Sequence, residues 1–286
     1  MKLRYFLSAF LILLVTFLQS CESMVSDVDA PSSPPKLVVT SFISSNMPYI
    51  SVNVYKTRPL YSTSYNTDIY PPVKTAIVIL SDGNNTVTLP YDEESMCYRI
   101  RQTEMEISKG KTYYLKVTDG DLHAEAECTV PSISLPEFEV VNIDTTIDED
   151  YGQISYHANL RFKDSIGEGQ FYHVTVSSVF KGDIGTVPTI YEIGFSRGEP
   201  FVSDKGRDGN YFTYTTNDIY LDPGQGLELV LSIGITDENY YNYHKAIYDF
   251  QDDNPFAEPS PIYSNIKGGL GVFGSYVQQV SVNEYK

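Results

Sequence analysis

Three short stretches of this chain combine residue types at spacings that can do chemistry. GLGVFG, Gly269 to Gly274, has the form G-x-G-x-x-G, whose backbone N–H groups cradle a pyrophosphate where a helix begins. GFSRG, Gly194 to Gly198, has the form G-x-S-x-G, which presents a serine nucleophile, here Ser196, on a sharp strand-to-helix turn. LQSC, Leu18 to Cys21, sets a thiol directly after a small side chain and three residues after a leucine. In each case the element that must position the motif separates chemistry from coincidence.

A dinucleotide fold needs a strand before the glycines, a helix opening at the last of them, and an acid about 20 residues on. The twelve residues after Gly274, SYVQQVSVNEYK, alternate as a strand instead. The expectation is a glycine-bearing strand approached closely by a neighbouring backbone or ring, with no nucleotide and no cofactor. The Ser196 motif needs an acid and then a histidine downstream, an order that Asp204 or Asp218 with His244 supplies. The following EPFVSDKGRDGN has no helical periodicity, so a serine hydrolase is the lesser reading and the chain is expected to be non-enzymatic. His123, His157, His173 and His244 lack any zinc-binding spacing. The acid clusters DTTIDEDYG and SDKGRDGN depart from the calcium-loop pattern and are expected to be solvated turns, with no metal.

LQSC has the context that its chemistry requires. Lys2 and Arg4 precede an apolar run from about Tyr5 to Leu18, the layout of a secretory signal peptide. Residues 1–20 are expected to be a lipoprotein signal peptide cut between Ser20 and Cys21, with Cys21 carrying the lipid. Each buried methylene of the acyl chains contributes roughly 0.8 kcal/mol, so two or three chains anchor durably. Residues 21–35, acidic and rich in proline and serine, then read as a flexible tether. Removing residues 1–20 removes two of the 20 cations and none of the 37 acids, leaving 18 against 37, a formal charge of −19. That balance repels phosphate backbones and excludes nucleic acid as a partner.

From Lys36 the pattern has period two. LVVTSFI, YISVNVY, KTAIVIL, NTVTLP, CYRIR, KTYYLKVT and LHAEAECTV are separated by turn sequences such as SDGNN and TDGD. The expected fold is all-β, with an N-terminal immunoglobulin-like sandwich over 36–131. In ISKGKTYYLKV, Ile107, Tyr113, Leu115 and Val117 face inward, and Tyr113 after a glycine turn is similar to a tyrosine corner. Residues 137–286 form a second β-sandwich-like domain with one short amphipathic helix at about 237–251. Its stripe is Tyr240, Tyr243, Ile247 and Phe250, and Thr236 or Asp237 is its N-cap. Strand parity places Cys97 beside Arg99 and Arg101, and Cys128 beside Ala124 and Ala126. One thiol then points out and one in, against a disulfide unless a bulge intervenes.

The order of these features resembles the Bacteroidota lipoproteins grouped as domain of unknown function family 4249. The residues that carry the resemblance are Cys21-Glu22, KLVVTSFI, VKTAIVIL with SDG, GKTYYLKV, TVP and FKDSIGEGQFYHV, then YYNYHKAIYDFQ followed by NPFAEPSPIYSNIKGGLGVFGSY. The resemblance implies an accessory or partner role beside a TonB-dependent outer-membrane transporter and brings no catalytic residues. The expectation is an outer-membrane lipoprotein held by the lipid on Cys21, facing the cell surface or, alternatively, the periplasm. Asn254, Pro255, Phe256, Pro259, Tyr263 and Asn265 form the candidate partner-contact segment, the other reading being that this segment closes the sandwich. Adhesion or structural roles and glycan binding are the competing functions. Tryptophan is absent, but 24 tyrosines can stack on sugars.

Overall fold

The computed structural model describes residues 34–58, 71–147, 154–180, 187–221, 226–250 and 262–285. Ser20, Cys21, the tether up to residue 33, Asn254, Pro255, Phe256 and Pro259 lie outside the described residues. Among the described residues the chain is all-β apart from one helix. Its first half supplies β1 (Leu37–Ser44), β2 (Tyr49–Lys56), β3 (Ile77–Ser81), β4 (Thr86–Leu89), β5 (Tyr91–Asp92), β6 (Cys97–Arg101), β7 (Thr112–Asp119) and β8 (Leu122–Thr129). All seven alternating runs read from the sequence there are strands, and β5 is an addition. The second half supplies β9 (Glu139–Ile147), β10 (Ile154–Lys163), β11 (Phe171–Phe180), β12 (Thr189–Ile193), β13 (Phe195–Arg197), β14 (Phe201–Ser203), β15 (Tyr211–Thr216), β16 (Ile219–Tyr220) and β17 (Leu227–Thr236). The helix α1 (Glu238–Tyr248) and the long β18 (Leu270–Tyr285) follow.

One nine-stranded sheet runs through both halves of the sequence in the order β12-β11-β17-β18-β1-β2-β6-β5, with β14 also on β11. Its centre is β18, antiparallel to β17 on one side and parallel to β1 on the other. A four-stranded sheet, β4-β3-β7-β8, and a five-stranded sheet holding β13-β15-β10-β16 and β9 complete the architecture. The first core joins Leu37, Val39, Ile50, Val52 and Phe273 of the large sheet to Val78, Leu80, Leu115 and Val117 of the four-stranded one. The second joins Tyr172, Val174, Leu229 and Leu231 to Leu160, Phe162, Phe212 and Tyr214 of the five-stranded one. Strand alternation explains both, since each core takes every second residue of its strands. Tyr113, fully buried, accepts from Ser108 N and donates to Glu106 O, each at 2.8 Å, so its hydroxyl ties the turn before β7 to the strand.

Residues Phe42, His173, Gly274 and Tyr276 point to the opposite face of the large sheet, alternating with core residues such as Ile43, Tyr172 and Val277. On that face lies α1. Asp237 caps it, accepting from Tyr240 N at 2.8 Å. The expected stripe is corrected: Tyr240 is buried, but Ile247 and Phe250 are 45% and 48% exposed. The helix packs through its first turns, where His244, one turn after Tyr240, takes the inward position.

The cysteines form no disulfide, as strand parity led one to expect, but the expected outward thiol is corrected. Both thiols are free and both are buried. Cys97 does share a face with Arg99, opposite Tyr98 and Ile100, yet that face is not open to solvent. Ser51 hydrogen-bonds the thiol, Arg99 lies near enough to act on it electrostatically, and the Arg99 guanidinium sits 3.5 Å from the Tyr49 ring centroid, so long side chains cover that face.

Candidate functional site

The residues read as the end of a contact segment meet α1, β8 and β18 at one corner. Asn265 aligns its amide with the main chain of Phe273: Nδ2 donates to Phe273 O at 2.8 Å and Oδ1 accepts from Phe273 N at 2.9 Å. The amide takes this position because the ladder of β17 along β18 ends at the Thr236–Tyr276 pair and the Asp237 N–H reaches only Ser275 O, which leaves Phe273 without a strand partner on that edge. Asn265 also donates to Glu127 O, as does Asn239 of α1, while Tyr263 donates to Asn239 Oδ1 at 2.7 Å. Lys267 and Glu125 bond through both backbones, at 2.8 and 2.9 Å. Tyr263 and Asn265 therefore spend their polar groups within the chain. Beside them opens a groove of about 560 Å³ whose lining includes Tyr114, Lys116, Glu127, Asn239, Asn265 and Lys267.

The glycines of GLGVFG are explained by the same corner. A side chain on Gly269 would stand 2.7 Å from Leu37 O, and one on Gly274 would stand 3.0 Å from Tyr240 N. Gly271, at φ +107°, would drive a Cβ into the Val39 carbonyl of β1. Backbone contact on both faces of β18 is the reason for the motif. Its last glycine opens no helix and continues into strand.

Sequence reasoning missed an aromatic stack beneath α1. His173 of β11 lies 4.4 Å from Phe201, centroid to centroid and nearly parallel, and its Nδ1 is 2.9 Å from the Tyr240 hydroxyl. His244 stacks on Tyr240 at 4.1 Å and lies tilted against Phe42 at 4.7 Å, with its Nδ1 at 3.0 Å from Tyr240 O. A carbonyl accepts only, so that nitrogen carries the proton and His244 is the Nδ1–H tautomer when neutral. Burial, then the charge of His244, push His173 down to about 4, and burial lowers His244 too. Both imidazoles are thus neutral at pH 7, built into packing. The one available signal was Tyr240 and His244 at helical i, i+4 spacing. Burial acts oppositely on the helix cap, raising Asp237 to about 6.

The candidate triad is not assembled. Ser196 sits inside β13 and donates to Thr215 O and Thr216 O. Strand β14 follows it, where the motif requires a helix. Asp218 stands 3.1 Å from His157 rather than beside His244. Asp204 is buried and accepts from Gly169 N. That burial corrects the reading of SDKGRDGN as a solvated turn. Oxygens of Asp164, Asp204 and Asp208 lie within 4.8 Å of one another, the arrangement among the described residues that could hold a metal ion.

No curated protein matches the chain. The model of one family, described as Domain of unknown function (DUF4249), matches residues 25–281. That span takes in both cores, the helix and all but the last residues of the glycine-bearing strand, and on it the chain belongs to this family.

Proposed function

We propose that the protein is a lipid-anchored outer-membrane lipoprotein, non-enzymatic, that faces the cell surface and serves as the accessory partner of a TonB-dependent transporter in nutrient uptake. The observation that carries the anchor is Leu18-Gln19-Ser20-Cys21 at the end of a signal-like apolar run. Between Cys21 and the first strand at Leu37 lies a proline- and serine-rich stretch, long enough to hold the folded part clear of a headgroup layer. The transporter role rests on the family resemblance. The groove beside Asn265 supports a contact there, since it gathers amides, carboxylates, Lys116 and the half-exposed Tyr114 in one concavity. The non-enzymatic reading is supported by Ser196, whose hydroxyl is engaged by two backbone carbonyls.

The same groove favours one second reading, a glycan-binding module, because an aromatic face among amides and carboxylates suits a sugar's apolar face and hydroxyls. Membrane fractionation of Cys21→Ala tests the anchor. The variant is expected in the soluble fraction without incorporated lipid. Retention in the membrane through residues 1–20 would refute lipidation as the anchor.

A further inference from the structure

We propose that the protein binds one calcium ion between the loop after β10 and the loop after β14, through Asp164, Asp204 and Asp208. The inference is independent of how the chain is anchored. Asp164 and Asp204 are 3% and 1% exposed, and Asp208 closes the cluster from the solvent side. Each carboxylate already has one oxygen oriented by a backbone N–H. Gly209 N donates to Asp164 Oδ2 at 2.9 Å, Gly169 N to Asp204 Oδ1 at 3.1 Å, and Gly167 N to Asp208 Oδ1 at 2.7 Å.

The decisive atom is Asp204 Oδ2, which is sealed from solvent and has no hydrogen-bond partner. A buried carboxylate oxygen without a donor is costly, and more so beside a second buried carboxylate. Among the described residues no lysine or arginine forms an ion pair with any of the three. Three acids at this separation, with no cation paired to them among the described residues, suit a positive charge from outside the chain.

The donor set selects the ion. Carboxylate oxygens within 4.8 Å of one another fit two or three ligands of one ion held at about 2.3–2.6 Å. The cluster contains no imidazole or thiolate, which argues for a hard cation over zinc or copper. The side-chain oxygen of Gln170 adds to the crowding. The Tyr172 hydroxyl lies 2.5 Å from both Gln170 Oε1 and Asp164 Oδ1, so one phenol proton serves two acceptors. Both ligand loops are irregular and glycine-bearing, which suits the variable coordination of calcium better than the rigid octahedron of magnesium.

The placement gives the ion a task. Asp164 directly follows β10 of the five-stranded sheet, and Asp204 directly follows β14 on the nine-stranded sheet, so one ion would clamp the two layers of the second core.

The test is calorimetric titration of calcium chloride into the chelator-treated full-length mature protein, with thermal unfolding in parallel. One calcium per chain is expected, with a dissociation constant of about 0.1–1 mM, as in extracellular modules. At saturating calcium, Tm should rise by about 5 °C, with a smaller rise in magnesium. Asp208→Asn, at an exposed position where the amide oxygen can still accept from Gly167 N, should weaken calcium binding at least about tenfold and reduce the Tm gain. Asp204→Asn should abolish binding. A wild-type protein that takes up no calcium and keeps its Tm overturns the proposal. So does a gain undiminished in Asp208→Asn, and an equal response to magnesium overturns the choice of calcium.

Discussion

Asn265 and Phe273 form two reciprocal hydrogen bonds, the side-chain amide of one standing where a neighbouring strand would bond the main chain of the other. Beyond the ladder with β17, the edge of β18 is met by the Asp237 N–H at Ser275 O and by the Asn265 amide at Phe273. Removing that amide leaves a buried N–H and C=O unpaired. Asn265→Ala should lower the unfolding free energy by about 1–3 kcal/mol. Urea denaturation monitored by circular dichroism measures this, and a change below a few tenths of a kcal/mol would show that water replaces the amide without cost.

Gly271 is constrained twice, by a positive φ and by the Val39 carbonyl that any Cβ would strike. The parallel pairing of β1 with β18 depends on that approach. Gly271→Ala is expected to cost about 3 kcal/mol or more, or to prevent folding. The control is Gly120→Ala, which has a positive φ but nothing near its Cβ and should cost less. Equal losses for the two variants would remove the close approach as the cause.

The acid dependence of stability has two opposing sources. His173 falls from 6.5 to about 4 on folding, so the native state binds fewer protons than the unfolded chain between those values. Its contribution is present above pH 6.5 and is lost as pH falls through about 4. Asp237 rises from 3.8 to about 6, so its contribution is present below pH 3.8 and is lost as pH rises through about 6. The two partly cancel between pH 4 and 6. Asp237→Asn retains an oxygen for the helix cap and removes the buried charge, and it should raise stability at pH 7.5 by roughly 1 kcal/mol. It should also unmask the histidine effect, steepening the loss of stability from pH 6.5 to 4. Parallel pH profiles for variant and wild type would contradict this assignment.

Burial raises both free thiols above their ordinary range, Cys128 furthest, with the charge of Asp237 adding to the effect there. Thiolate is the reactive form, so neither should react with a maleimide in the folded chain. In a Cys21→Ser background, two thiols should become reactive together on denaturation, without a reductant. A requirement for reductant would reveal a disulfide.

The local elements were legible in the sequence because period-two alternation marks half-buried strands wherever one face meets a core. Tyr113 was legible for a related reason, since a buried phenol after a glycine turn must find a backbone partner. What failed depended on long-range register. Nothing in LVVTSFI says that it lies parallel to GLGVFG at the centre of one sheet. His173 and His244 meet only because a strand and a helix far apart in sequence pack face to face. The burial of Asp204 needed the partner loop at Asp164. The stripe on α1 misled because hydrophobic spacing does not reveal where a helix leaves the sheet, and there a histidine took the inward place.

The most direct test of the central claim is purification of the tagged protein from outer membranes dissolved in a mild detergent. A TonB-dependent transporter should be recovered in near-equal amount, with crosslinks from that protein to positions lining the groove, such as Lys116 or Lys267. Recovery of the lipidated chain alone, under conditions that preserve transporter complexes, would contradict it.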